Sequence, residues 1–238
     1  MSRIIERVRQ ALGVRAGDGR EKVVFAKSGD FVHCADTMAT AQERDGWMDC
    51  IRKEAQALNL QVRECPDLDA CGEAVAALAR ERGPEWGTLK QVMRWSDPIL
   101  DGLGLEGRLA GDIAVRTVPV AESFTPSERQ AFREEVMASY IGVTTADYLL
   151  ADTASLALLG GRGRARSVSL VPSIHIAVVP ASRMIGSYRQ LLSLLDARDL
   201  PSNLTVITGP SKTADIEATL VHGAHGPREM HLFVVASR

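Results

Sequence analysis

The chain has 238 residues, a formal net charge of −2 and no block of like charges, so a nucleic-acid-binding surface is not expected. No apolar run approaches the roughly 20 residues that a membrane-spanning helix requires. The hydrophobic content of 45% and the charged content of 24% are typical of a globular protein with a sizeable core.

The first predicted element is a helix at Ser2–Leu12, whose apolar side chains recur at helical spacing. The Gly-rich, charged segment 13–20 follows it as a hinge. We therefore predict an N-terminal helical arm and hinge over residues 1–20 and a single α/β domain over residues 21–238.

Helical patterns and short apolar runs alternate along the rest of the chain. The predicted helices lie at 41–58, 67–82, 98–103, 125–140, 187–195 and 216–221, with a short one between 147 and 152. The predicted strands lie at 60–65, 89–95, 116–120, 155–159, 167–179 (interrupted by Pro172), 204–207 and 230–235. This alternation predicts an α/β fold with a mainly parallel, Rossmann-like sheet and helices on both faces.

The N-terminus and the cysteines favour a cytoplasmic protein. Residues 1–10 alternate charged and apolar side chains and lack the apolar core of a signal peptide. The four cysteines, Cys34, Cys50, Cys65 and Cys71, form no C-x-x-C pair. We therefore expect reduced thiols, and neither an iron–sulfur cluster nor a structural zinc site on this chain.

Two loops share a pattern of glycine, hydroxyl residues and then Thr-Ala-Asp. They are Gly142–Asp147 and Gly209–Asp215, and the second also contains Lys212. We predict that each is a turn leading into a helix, where free N–H groups, hydroxyls and the lysine can hold a carboxylate or phosphate group. Helix capping alone also explains such residues, so both interpretations stay open.

Four carboxylates lie near the ends of these loops, namely Asp147, Asp152, Asp215 and Glu217. A pair that converges on one pocket can transfer protons or hold a cation. Carboxylates near helix N-termini also simply favour the helix dipole. We take Asp215 and Glu217 as the candidate catalytic residues.

The histidines and arginines are weaker indications of a binding site than the two loops. His222 and His225 lie among glycines in a predicted turn, so their rings need not share a face, and no metal site is predicted. His225 is a candidate pocket residue, whereas His175 lies in an apolar run and is expected to be buried and hydrogen-bonded. The three arginines of the loop 160–166 fit either a solvated hairpin or the steering of an anion.

Five ordered blocks between residues 142 and 227 carry a further pattern. They are Gly142-x-Thr144-x-Ala146-Asp147, Ala151-Asp152-Thr153-x-Ser155-Leu156, Pro172-x-x-His175-Ile176, Gly209-Pro210-Ser211-x-Thr213-Ala214-Asp215-Ile216-Glu217 and Gly223-x-His225-Gly226-Pro227. Together they resemble the LUD-domain family, and most of all its lactate-utilization members. The resemblance implies a fold similar to that of the phosphosugar isomerases and deaminases and the CoA-transferases.

The resemblance also implies a function. Such members take part in the oxidation of L-lactate to pyruvate, as a cluster-free subunit beside partner proteins that carry the iron–sulfur clusters. We expect a small carboxylate or phosphorylated ligand between the loops 142–155 and 209–217. The candidate ligand-binding residues are Thr144, Thr145, Asp147, Thr153, Ser155, Gly209, Ser211, Lys212, Thr213 and His225.

One position departs from the family pattern, since Asp152-Thr153-Ala154 stands where the family usually has Glu-Thr-Gly. Alanine restricts the backbone there, which makes a close ligand approach less certain. The alternative function is a stand-alone enzyme on a phosphosugar or acyl-CoA substrate, by analogy with the fold relatives. Asp215 or Glu217 would then act as base or nucleophile. A third interpretation is an interaction module that uses the N-terminal arm.

Overall fold

The structure is a computed structural model that describes residues 41–85, 87–121, 123–195, 201, 203–214, 220–222 and 225–236. The predicted helix at Ser2–Leu12 and the predicted domain boundary at residue 20 lie outside the described residues. Both stay predictions.

A six-stranded sheet forms the centre of the fold. Its strands are β1 (Gln61–Cys65), β2 (Gln91–Arg94), β3 (Ala114–Thr117), β4 (Ile141–Thr145), β7 (Ile174–Pro180) and β12 (Glu229–Val235). Their spatial order is β1-β12-β7-β4-β2-β3, and every neighbouring pair is parallel. The central strands β4 and β7 are buried almost throughout, as expected for strands covered on both faces. The predicted parallel α/β sheet is therefore confirmed.

Helices cover both faces of this sheet. They are α1 (Ala41–Leu58), α2 (Leu68–Glu81), α3 (Pro98–Asp101), α4 (Leu105–Arg108) and α5 (Pro126–Ala138). The last described helix, α6 (Tyr188–Leu194), lies against a second, smaller sheet. Glu64 and Cys65 are neighbours in β1, so their side chains point to opposite faces. Arg52 of α1 donates to Glu64, whereas Cys71 of α2 lies beside Cys65, and both thiols are buried. These two helices therefore lie against opposite faces.

A smaller sheet follows the central one. It consists, in spatial order, of β8 (Met184–Ile185), β5 (Tyr148–Leu150), β6 (Ser155–Leu159) and β9 (Leu204–Ile207). β6 is antiparallel to both of its neighbours, and β8 is parallel to β5. Leu191 of α6 packs on this sheet. Beyond β9, the hairpin of β10 (Lys212–Ala214) and β11 (Leu220–His222) is antiparallel.

The turn predicted at Gly142–Thr145 is wrong, because these residues belong to the central strand β4. Residues 143–145 are β-branched and fully buried, which favours a strand. Gly142 is needed for packing, since a Cβ there would lie 1.8 Å from the carbonyl oxygen of Val168. The short helix predicted between 147 and 152 is also wrong, because Tyr148–Leu150 form β5.

The helix predicted at Ile216–Val221 is wrong in its described part, where Leu220–His222 form β11. Within the predicted loop, Lys212–Ala214 form β10 and pair with β11. The first half of the strand predicted at 167–179 is wrong as well, because Arg166–Ser169 form a 3-10 turn. Pro172 lacks a donor for a central strand, so β7 begins only after it.

The other predictions that fall on described residues are confirmed, with bounds that differ by a few residues, whereas α4 and β8 were not predicted. The Thr-Pro-Ser-Glu sequence at 125–128 is typical of a helix start, and Thr125 and Glu128 form a capping box at the start of α5. The strand predicted at 116–120 is shifted to Ala114–Thr117. Pro119 cannot donate to a ladder, so the strand ends before it.

Candidate functional site

The topology singles out the gap between the carboxyl ends of β2 and β4. The connection after β2 leads to β3 on one side, whereas the connection after β4 leads towards β7 on the other. Ligands of open α/β sheets bind at such a switch point, outside the carboxyl ends of the strands. Asp97 follows β2 and Asp147 follows β4, so both carboxylates lie at this gap.

Arg164 joins these two carboxylates. Its Nη2 donates to Oδ2 of Asp97 at 2.6 Å, and its Nη1 donates to Oδ1 of Asp147 at 2.7 Å. The other carboxylate oxygens accept backbone N–H groups, from Ile99 at 3.0 Å and from Leu159 at 2.7 Å. We call Asp97, Asp147 and Arg164 the carboxyl-edge clamp, because they tie together the segments that follow β2, β4 and β6.

The clamp is largely removed from solvent. The side chain of Asp97 is 3% exposed, that of Asp147 18% and that of Arg164 23%. The Arg164 guanidinium carbon lies 5.6 Å from the centre of the Trp95 ring, a cation–π contact. Burial by itself lowers the pKa of Arg164, but the hydrogen bonds and charges of Asp147 and Asp97 offset this, and the pKa is raised. One permanent cation therefore bridges the two carboxylates.

A cavity of about 520 Å³ opens beside the clamp, and we call it the carboxyl-edge pocket. Arg162 and Arg164 line it from the loop 160–165. The remaining lining is mostly apolar and includes Val118, Phe124 and Phe132. Val118 directly follows β3, so the pocket lies at the carboxyl edge of the sheet. Its volume falls within the roughly 300–1,000 Å³ of small-molecule sites.

Residues 48–235 match the LUD domain. The chain belongs to the LUD-domain family. Two similar proteins are named lactate utilization protein C. The one from Halalkalibacterium halodurans is 36% identical over 154 residues, which cover 63% of this chain and 64% of that protein. The one from Macrococcus caseolyticus is 26% identical over 205 residues, which cover 84% and 82%. The first match thus spans less than two thirds of the relative's length.

A solved structure supports the fold of this LUD domain. The crystal structure of a DUF162-family protein from Deinococcus radiodurans superimposes with a TM-score of 0.53 at 17% sequence identity. The superposition covers 81% of this chain and 98% of that chain. The similarity concerns the arrangement of strands and helices alone.

Two of the predicted ligand-binding threonines of this LUD domain are fully buried. The Thr145 hydroxyl donates to Oδ2 of Asp97 at 3.3 Å, so Thr145 supports the clamp. The Thr144 hydroxyl lies 2.9 Å from Nε2 of His175, within the sheet. The first predicted loop therefore contributes Thr145 and Asp147 to the carboxyl edge.

The structure brings Ser155, at the end of the predicted segment 142–155, beside Thr208, which directly precedes the second loop. The hydroxyls of Ser155 and Thr208 lie 2.6 Å apart, because β6 and β9 pair. Thr153 is exposed and donates to Asp152 at 3.1 Å.

Ala154 has a φ of +47°, in the left-handed region that glycine adopts freely. The LUD domain thus tolerates alanine at this turn, at a cost of about 1 kcal/mol.

The rest of the second loop lies at the opposite edge of the sheet. Ser211 donates its N–H to the carbonyl of Pro227 at 2.9 Å, just before the amino end of β12. Gly209 lies beside Leu58 at the end of α1. The structure therefore does not bring this loop to Asp147.

For the remaining candidate residues of the second loop, the structure gives at most their exposure or their place in the backbone. Lys212 and His225 are exposed, and the backbone of Thr213 belongs to β10. Asp215 and Glu217 lie outside the described residues, so their catalytic role stays a prediction.

Sequence reasoning missed two residues of the clamp region. Trp95 and Asp97 were not candidates, and Arg164 was only one of three arginines in a basic loop. A usable signal was present, because Trp95 and Asp97 lie at the carboxyl end of a strand that was predicted at 89–95 and is observed at Gln91–Arg94. Residues 142–145 were interpreted as a turn, so the carboxyl end of β4 was not recognised as a strand end. The switch point between β2 and β4 was therefore not predicted.

His175 is fully buried in β7, as predicted. Its Nε2 meets the Thr144 hydroxyl, and its Nδ1 has no hydrogen-bond partner among the described residues. Burial lowers the pKa of His175 to about 3, because a protonated ring would place an uncompensated charge inside the sheet.

We expect the free energy of unfolding to fall as the pH drops below about 6.5. The unfolded chain binds a proton at His175 near pH 6.5, whereas the folded chain does so only near pH 3. Between these values, each pH unit costs up to about 1.4 kcal/mol. Burial also lowers the pKa of His231, which adds to the loss. Urea unfolding of the wild type and of His175→Gln between about pH 7 and pH 5 tests this. Equal pH slopes in the two proteins would contradict it.

A second cavity, of about 660 Å³, lies at the amino ends of β1 and β12. Two arginines that line it form ion pairs, Arg82 with Glu229 at 3.0 Å and Arg228 with Glu85 at 2.6 Å. Ligands of open α/β sheets bind at the carboxyl edge. The carboxyl-edge pocket is therefore the stronger candidate.

Three further features concern metal ligands, membrane-spanning helices and thiols in the part of the chain that the structure describes. No group of three or more His, Cys, Asp or Glu side chains is arranged there to hold a metal ion. No helix there is long and apolar enough to cross a membrane. Cys50, Cys65 and Cys71 are free thiols, and Cys34 lies outside the described residues.

Proposed function

We propose that this LUD domain acts in lactate utilization, in the cytoplasm, as the cluster-free subunit of a system that oxidises L-lactate to pyruvate. Partner proteins with iron–sulfur clusters transfer the electrons in this proposal. The observation that carries it is the similarity to proteins named lactate utilization protein C, at 36% and 26% identity, within a family match over residues 48–235.

The ligand of this subunit is proposed to be a small carboxylate or a phosphorylated anion, bound at the carboxyl edge of the sheet. Two features support this placement. The switch point is the usual ligand position in open α/β sheets. Arginine provides bidentate donors for carboxylate and phosphate groups, and Arg162 and Arg164 both line the pocket at this edge.

Deletion of the gene tests the proposed role. We expect the deletion strain to grow normally on glucose but to lose growth on L-lactate, and the full-length chain supplied in trans should restore it. An unchanged lactate oxidation rate in the deletion strain would contradict the proposal.

Reconstitution separates a subunit from a stand-alone enzyme. The purified chain alone should not oxidise L-lactate, whereas adding it to the iron–sulfur partners should raise their rate of pyruvate formation. Lactate oxidation by the partners at full rate without this chain would exclude the subunit role.

A further inference from the structure

We propose that the carboxyl-edge pocket binds an amphipathic organic anion, with an aromatic or branched apolar body and one carboxylate group. This ligand is larger than lactate. The inference rests on the pocket itself and does not depend on the role in lactate oxidation.

The size of the pocket argues against a three-carbon acid as its full ligand. If each non-hydrogen atom needs about as much space as a water molecule in the liquid, roughly 30 Å³, lactate fills about 180 Å³. The pocket measures about 520 Å³. A ligand of lactate's size would therefore leave most of the cavity unfilled.

The apolar part of the lining is held in place before any ligand binds. Phe132 projects from α5 and packs against the main core. The carbonyl of Phe124 accepts from Nε of Arg129 at 3.1 Å and from its Nη2 at 2.9 Å, which fixes the segment before α5. Val118 is 4% exposed and adds an aliphatic surface. Such a surface favours an aromatic or branched body at a small ordering cost.

The cationic part of the lining is fixed as well. The loop 160–165 is held by the Arg164 clamp and by two hydrogen bonds, from Ser96 N–H to Gly163 O at 3.0 Å and from Trp95 Nε1 to Ala165 O at 2.9 Å. Gly163 has a φ of +72°, and a Cβ there would lie 2.9 Å from that of Ser96. This loop therefore packs against the segment that follows β2.

Arg162 is the residue assigned to the acid group of the ligand. Arg164 positions the loop, because its two Nη groups donate to the clamp carboxylates. Arg162 lies two residues away in the same loop and lines the pocket. A guanidinium beside an apolar surface suits a carboxylate attached to an apolar body.

The test compares two acids that differ only by a phenyl ring, with the fluorescent sulfonate 8-anilinonaphthalene-1-sulfonate as the reporter. The full-length wild-type chain should bind the reporter saturably. Phenyllactate should displace it with an affinity at least about tenfold higher than that of lactate, because only phenyllactate buries a ring. Equal displacement by the two acids would overturn the proposal.

Matched variants locate the binding. Arg162→Gln and Phe132→Ala should each weaken phenyllactate binding by about tenfold or more. Arg133→Gln and Met137→Ala change exposed residues of α5 that do not line the pocket, and they should bind like the wild type. If Phe132→Ala fails to fold, Arg162→Gln decides the result. Wild-type affinity in a folded Arg162→Gln protein would refute the assignment, whether or not the gene is needed for growth on lactate.

Discussion

The Gly142→Ala variant is expected to lose about 3 kcal/mol or more of its free energy of unfolding, or to fail to fold. The added methyl group would lie 1.8 Å from the Val168 carbonyl oxygen and 2.9 Å from its carbon. Both are backbone atoms, so no side-chain rotation relieves the overlap. Urea unfolding followed by circular dichroism measures the loss.

Gly46→Ala provides the matched control. Gly46 lies in α1, and a Cβ there would meet no atom within 4 Å. Alanine is the better helix former, so this variant should gain about 0.5–1 kcal/mol. A Gly142→Ala protein with the unfolding midpoint of the wild type would show that β4 and the 3-10 turn do not pack as described.

The second large effect is expected for Arg164→Ala, at about 3–5 kcal/mol of lost stability. This change leaves Asp97 and Asp147 without their cation, and Asp97 is only 3% exposed. It also releases the loop 160–165 from the carboxyl edge. Denaturant unfolding gives the stability, and displacement of the reporter dye by phenyllactate should weaken in parallel.

Arg52→Ala is the control for this prediction. Arg52 also bridges two carboxylates, Asp49 and Glu64, but its side chain is 49% exposed. Exposed ion pairs contribute little, so the expected loss is below about 1 kcal/mol. Similar losses for the Arg52 and Arg164 variants would mean that burial does not set the strength of the clamp.

Most of the fold was predictable because each signal was local. The capping box at Thr125 marked the start of α5, and the apolar runs at 204–207 and 230–235 marked two strands. The helix at 216–221 was predicted from an amphipathic run, but its described end, Leu220–His222, pairs with β10.

The error at 142–145 has a different cause. Glycine and hydroxyl residues were interpreted as turn formers, whereas tertiary packing placed them in strands. Residue 142 must be glycine because its backbone packs against the Val168 carbonyl group. Sequence spacing does not reveal this contact.

The candidate site was less predictable than the fold. Its residues come from the ends of three strands, and their meeting depends on the spatial order of those strands. The Thr-Ala-Asp repetition suggested that Asp147 and Ser211 share a pocket, but strand pairing separates them to opposite edges. Asp147 was among the candidate residues, whereas its partner Asp97, which lies 50 positions earlier in the chain, was not.

The position of β12 has a consequence for how the protein is made. This strand is the last of those described, yet it lies between β1 and β7 and pairs with both. β1 therefore cannot join the central sheet until residues 229–235 have left the ribosome. Until then the nascent chain presents an unpaired edge on β7, which can attract other chains. Pairing between such distant segments is also slow, so protection of the newly made chain by chaperones matters most in this final interval.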